Sequence, residues 1–219
     1  MPSSNLGAAS NNIILRISVN FIEVTMSKII CFLNQKGGVG KTTSTINVAA
    51  CLAEKNYKTL IIDLDPQANS SQVYSTTSDT DPSIYDLLIQ RNKSTEKLEA
   101  IIKKTYIKQL DIIPSNVLLS SAEIELVNIH GRETILKRLI QKEKSIFETY
   151  QYILIDCPPS LGLLTVNAIM ASNHLLVPLH ADIFSLTGLT LLIETVSKLQ
   201  SIFEINCTIL GFFFTQVIA

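Results

Sequence analysis

Short, almost uninterrupted apolar runs recur along the chain from Lys28 onward. They are Lys28 to Leu33, Thr59 to Asp63, Leu110 to Ile113, Tyr152 to Asp156, His174 to Leu179 and Cys207 to Phe214. Apolar runs of this length with little alternation are the mark of strands buried on both faces. Helical patterns fall between them, at Thr42 to Lys55, Ser120 to Asn128, Arg132 to Thr149 and Leu186 to Phe203. Strand–helix alternation predicts an α/β fold: a mostly parallel sheet with helices on both faces. Ser70 to Ser83, SSQVYSTTSDTDPS, reads as the most loop-like stretch.

The chain has 219 residues, 47% of them hydrophobic, which is enough for one substantial core. Residues 26–219 are expected to form a single domain. Residues 1–25 are too polar and too short to span a membrane, and they lack the basic start and clean apolar centre of a secretory signal. Met26 stands immediately before the first strand, so residues 1–25 are expected to be an extension that is disordered or not translated. No other stretch reaches transmembrane length, which predicts a cytoplasmic protein without a membrane partner. The formal charge of −1 leaves no general basic excess, so any contact with DNA must come from a local patch or from assembly. The four cysteines, Cys31, Cys51, Cys157 and Cys207, form no Cys-x-x-Cys pair and are expected to be buried, reduced thiols. His130, His174 and His180 show no metal-ligand spacing.

In sheets of this kind ligands bind outside the carboxyl ends of the strands. Three segments there carry chemistry. The first is NQKGGVGKTT, Asn34 to Thr43, between the first strand and the first helix. Glycines allow the backbone to turn its N–H groups toward phosphate oxygens, and the helix N-terminus adds a favourable dipole. Gly37, Gly38, Val39 and Gly40 would form the cradle, Lys41 would reach the β- and γ-phosphates, Thr42 would ligate Mg²⁺ and Thr43 would hold a neighbouring phosphate. Gln35 replaces the first glycine of the usual G-x-x-x-x-G-K-[ST] pattern, and a second lysine, Lys36, stands beside it.

The second segment is LIIDLDPQANSS, in which Asp63 and Asp65 close the second strand. A carboxylate there can orient the water that attacks a γ-phosphate, or simply cap the next turn. The third is YQYILIDCPPS, where an apolar run ends in Asp156, the Walker B arrangement for holding Mg²⁺ directly or through water. Asn92 and Lys93 begin the guanine signature Asn-Lys-x-Asp, but Thr95 stands where Asp is needed, so nothing selects guanine.

Together NQKGGVGKTT, DLDPQANSS and ILIDCPPSLGLLTVNA resemble the ParA/Soj partition ATPases, members of the deviant Walker A class of P-loop NTPases with MinD and nitrogenase iron protein. IIPSNVLLSSAEIEL and VPLHADIFSLTGL extend the likeness from about Ser27 to the end. The resemblance implies ATP and Mg²⁺ as ligands and a homodimer closed over two nucleotides. In it, Lys36 would be the signature lysine that crosses to the partner's phosphates. It further implies that Asp65 orients the water, that Asp63 supports it and that Asp156 is the acid on the Mg²⁺ side. The implied partners are a ParB-like centromere-binding protein and non-specific DNA.

Family members continue past the strand at which this sequence stops, with a segment that carries adenine contacts and DNA-binding residues. The expectation is therefore a C-terminally truncated copy that binds DNA weakly. The alternatives are a MinD-like or other deviant Walker A regulator, which needs a C-terminal amphipathic helix, and a truncated copy that binds nucleotide without partition activity. A cluster reductase like nitrogenase iron protein would need a second cysteine ligand beside Cys157.

Overall fold

The computed structural model describes residues 27–74, 81–89, 98–181 and 184–216. The expected extension at residues 1–25 and the Asn92–Lys93 pair lie outside these. The described chain runs β1 (Lys28–Phe32), α1 (Lys41–Glu54), β2 (Thr59–Asp63), α2 (Asn69–Tyr74), α3 (Ile84–Ile89), α4 (Leu98–Ile101), β3 (Lys103–Lys104) and β4 (Leu110–Ile113). It continues through α5 (Leu119–Glu125), α6 (Ile135–Lys142), α7 (Lys144–Phe147), β5 (Tyr152–Asp156), α8 (Leu163–Ala171), β6 (His174–His180), α9 (Phe184–Phe203) and β7 (Thr208–Thr215).

The strands form one sheet in the order β3-β4-β2-β5-β1-β6-β7, parallel throughout except for the short antiparallel pair β3–β4. Successive side chains of a strand point to opposite faces, and the core divides accordingly. Ile29, Cys31, Leu60, Ile62, Ile153 and Ile155 pack toward α3, α5, α6, α8 and α9. Ile30, Phe32, Ile61 and Leu154 pack on the other face toward Ala49 and Ala53 of α1 and Tyr74 of α2. Helices cover both faces, as the unalternating strands predict.

Three local expectations are corrected, and one helix escaped the sequence reading. The pattern over Arg132 to Thr149 is not one helix. A 3₁₀ turn at Arg132–Thr134 precedes α6, and the chain leaves helical geometry at Glu143 (φ −99°, ψ 34°) before α7. That break lets Phe147 and Tyr150 enter the core, where their carbonyls accept the Ser27 hydroxyl. Ser70 to Tyr74 is helix rather than loop, because the Ser70 and Ser71 hydroxyls have buried acceptors. The helix α8 carries no amphipathic pattern, since seven of its nine residues are buried, and so escapes periodicity. Finally, Cys31, Cys157 and Cys207 are buried but Cys51 is exposed. The buried stripe of α1 is Lys41, Thr45, Ala49 and Ala53, and Cys51 lies off it.

Candidate nucleotide site

The central strands β1, β5 and β2 end level with one another. Phe32 is the register partner of Asp156, and Asp156 of Asp63. Each strand then releases its chain at the same edge, so the loop after β1, the Asp63–Asp65 turn and the Asp156 segment converge without any long-range search by side chains.

The loop after β1 is built by its own polar groups. The Asn34 side chain donates to the Pro178 carbonyl (2.8 Å), and its Oδ1 accepts the Lys36 N–H (2.9 Å). Gly38 and Gly40 adopt φ of 73° and 82°, a region that side chains with a Cβ avoid, and α1 starts directly after. Lys36, Gly37, Gly38 and Thr43 are exposed, Gly40 and Thr42 half-buried, and Val39 and Lys41 buried. The Lys41 ammonium donates to the Lys36 carbonyl (3.1 Å), which folds it back over the loop. Burial lowers its pKa, while Asp156, Cys157 and Asp65 act in the opposite sense. Thr215 at the end of β7 donates to the Val39 carbonyl (2.8 Å), so the last described strand also grips this loop.

Asp63 is wholly buried and accepts three bonds: from the Ser71 N–H (2.8 Å), the Ser71 hydroxyl (2.7 Å) and the Asp65 N–H (3.2 Å). Burial, reinforced by Asp156, pushes its carboxyl up to about 7 against the pull of those bonds. Asp65 Oδ1 accepts the Gln67 N–H (2.9 Å), and Ala68 sits at φ 54° to turn the chain into α2. Asp156 is also buried. Burial raises its pKa to about 6, with Asp65 adding to the rise, and the Ser70 and Thr42 hydroxyls and Lys41 opposing it.

One feature bears directly on a metal. Ser70 donates to Asp156 Oδ2 (2.7 Å), whereas Asp156 Oδ1 is buried with no hydrogen-bond partner. A buried carboxylate oxygen without a donor is costly unless a cation or its water completes it. With Thr42 close enough to lower the acid's pKa, the oxygen donors suit Mg²⁺.

All eleven residues singled out in the sequence therefore lie on this edge of the sheet: Lys36 to Gly40 in the loop, Lys41 to Thr43 in the first turn of α1, and Asp63, Asp65 and Asp156 at the strand ends. Sequence reasoning missed Asn34, Ser70, Ser71 and Thr215. The available signal for the two serines was a pair of hydroxyls opening a helix just after Asp65. A surface hollow of about 370 Å³, lined by Val127 to Glu133, contains none of the site residues.

Comparison with known proteins agrees with this fold. A protein-family model described as an AAA domain matches residues 27–209. The chain is 43% identical over 191 residues to the chromosome-partitioning ATPase Soj of Treponema pallidum, covering 87% of this chain and 72% of that one. Among solved structures, a plasmid partition protein from Borrelia burgdorferi superposes with a TM-score of 0.75 at 28% identity, covering 88% of this chain and 80% of that one. Cobyrinic acid a,c-diamide synthase from Mycobacterium smegmatis, with bound ADP and magnesium, gives 0.78 at 31% identity, covering 86% and 74%.

Proposed function

The chain belongs to the AAA-domain family of Soj/ParA partition ATPases, and from that premise we propose how its own residues bind and hydrolyse ATP in DNA partition. The higher identity to the partitioning ATPase than to the cobyrinic acid enzyme favours partition over amide synthesis. The observation that carries the site assignment is the convergence of the Lys41 loop, the Asp63–Asp65 turn and Asp156 at a single strand edge, where Asp156 is the register partner of both Phe32 and Asp63.

Gly37 to Gly40 present backbone N–H groups to the phosphates, and Lys41 exchanges its bond to the Lys36 carbonyl for phosphate oxygens. Thr42 and Asp156 would hold Mg²⁺, which would supply neutralisation of phosphate charge. Asp65 positions the attacking water. Its Oδ1 is occupied by the Gln67 N–H, so Oδ2 is the oxygen available to accept from that water. Asp63 holds the turn in place through Ser71 and the Asp65 N–H. The exposed position of Lys36 at the outer lip of the loop suits a cation that reaches a second subunit's phosphates, in a dimer closed by ATP. The dimer acts in the cytoplasm with a ParB-like partner and non-specific DNA. No helix among the described residues is long and apolar enough to cross a membrane.

Phosphate release from MgATP by the wild type and by Lys41→Ala tests this reading. Turnover by the wild type, lost in the variant, supports it. Equal turnover, or none in either protein, overturns it.

A further inference from the structure

We propose that Ser70 is a positioning residue for the metal: its hydroxyl locks the Asp156 carboxylate so that Oδ1 alone is presented to Mg²⁺, and it ties that orientation to the Asp65 turn. The inference rests on the Mg²⁺-ATP reading above and deepens it.

A carboxylate rotates about its terminal torsion in a broad, roughly two-fold well. In a site that must present one oxygen, this freedom has to be removed. Asp156 has no exposed surface, and of its two oxygens Oδ2 takes the Ser70 hydroxyl at 2.7 Å while Oδ1 has no donor. Ser70 has no exposed surface either. Its partner is fixed by burial rather than chosen from solvent.

Ser70 is also placed by the segment it must report on. The Ala68 N–H bonds to the Asp65 carbonyl (2.9 Å), and Ala68 takes φ 54°, which swings α2 back over the strand ends. The residue after Ser70, Ser71, is bonded to Asp63 through both its N–H and hydroxyl, and its Oγ accepts the Ser115 N–H (2.8 Å) beyond β4. The start of α2 is thus pinned to β2, β4 and β5 together. A shift of the turn that carries Asp65 must move Ser70, and with it the Asp156 carboxylate. Water positioning and metal orientation become one mechanical unit, in the manner of outer-shell groups that orient metal-binding carboxylates.

The test is calorimetric titration of Mg²⁺ into the full chain saturated with ADP, in the wild type, Ser70→Ala, Ser70→Thr and Ser70→Val. Thr and Val share a shape and differ by the hydroxyl, so they control for packing if Ser70→Ala folds poorly. Mg²⁺ affinity is expected to fall about 10-fold or more in Ser70→Ala and Ser70→Val and to be retained in Ser70→Thr. Metal-free ADP affinity is expected to stay unchanged in all four. Equal Mg²⁺ affinity in Ser70→Thr and Ser70→Val, or wild-type affinity in Ser70→Ala, overturns the proposal. Equal losses of metal-free ADP affinity and Mg²⁺ affinity would also overturn it, because that is the signature of a merely structural serine. A wild type that binds ADP without any response to Mg²⁺ would instead remove the reading on which the proposal stands.

Discussion

Asp63 and Asp156 are direct register partners on neighbouring parallel strands, and neither has exposed surface. Burial first, and the neighbouring Asp156 carboxylate second, push Asp63 up to about 7 from 3.8. A raised acid binds its proton more tightly folded than unfolded. Its stabilising contribution is therefore complete below about pH 4 and is lost as pH rises through about 7. Asp156, raised to about 6, acts in the same sense. The nucleotide-free protein should lose stability between pH 5 and pH 8, by roughly 2–3 kcal/mol from Asp63. Asp63→Asn should shrink that difference, Asp156 supplying the remainder. Urea unfolding at the two pH values measures it, and an undiminished difference in Asp63→Asn would count against the shared burial as its cause.

Lys41→Ala should weaken ATP binding by at least about tenfold, since a charge-assisted bond to phosphate contributes more than a neutral one. The native ammonium already sits over the loop on the Lys36 carbonyl, so little ordering is needed when the nucleotide arrives. Calorimetric titration decides this. Unchanged affinity would mean that the loop amides alone hold the phosphates.

Asp65→Ala should leave ATP affinity near that of the wild type and reduce turnover by about 100-fold or more, the usual scale for a lost proton acceptor. The fold should survive, because Asp63 and Ser71 keep the turn anchored. Single-turnover phosphate release, read beside a binding isotherm, separates the two effects. Parallel losses of binding and rate would make Asp65 a structural cap.

Lys36→Ala should retain ATP binding through Lys41 and the loop amides while losing ATP-driven dimerisation. In the proposed dimer nucleotide lies in the closing interface, so ATP should shift the wild type from monomer to dimer by mass action. Sedimentation with and without ATP reads both states. Full dimerisation of the variant would dismiss the cross-subunit role.

The parts of this molecule legible from sequence were those fixed by local rules. Runs buried on both faces, such as Thr59 to Asp63 and Tyr152 to Asp156, lack alternation, and the observed strands match them residue for residue. The segment from Lys36 to Thr43 announces itself because its glycines, two lysines and threonines each suit a separate chemical need. What escaped depends on contacts distant in sequence. Ser70 meets Asp156 across 86 residues and Thr215 meets Val39 across 176, and no spacing rule spans such gaps. The helix α8 escaped for the opposite reason: a helix buried on nearly every side, Thr165 and Asn167 included, has no polar face to detect.

The three glycines of the loop should not be equivalent. Gly38 and Gly40 lie at φ +73° and +82°, where a Cβ is strained, whereas Gly37 does not lie in that region. Space does not separate them. A Cβ on Gly37 would be 4.0 Å from Pro159, one on Gly38 would meet nothing within 4 Å, and one on Gly40 would touch Thr215 Cγ2 at 3.4 Å, an ordinary contact. Backbone conformation alone therefore sets the order. Gly38→Ala and Gly40→Ala should each cost about 1–2 kcal/mol, the usual penalty for a left-handed residue with a side chain. Gly37→Ala should stay within about 0.5 kcal/mol of the wild type. The strained variants should also bind nucleotide more weakly, because relief of the strain turns N–H groups away from the phosphate position, and Gly37→Ala should not. Urea unfolding and a nucleotide isotherm on all three proteins check the order. Equal losses across the three would show that steric room, rather than the left-handed turn, is what these glycines provide.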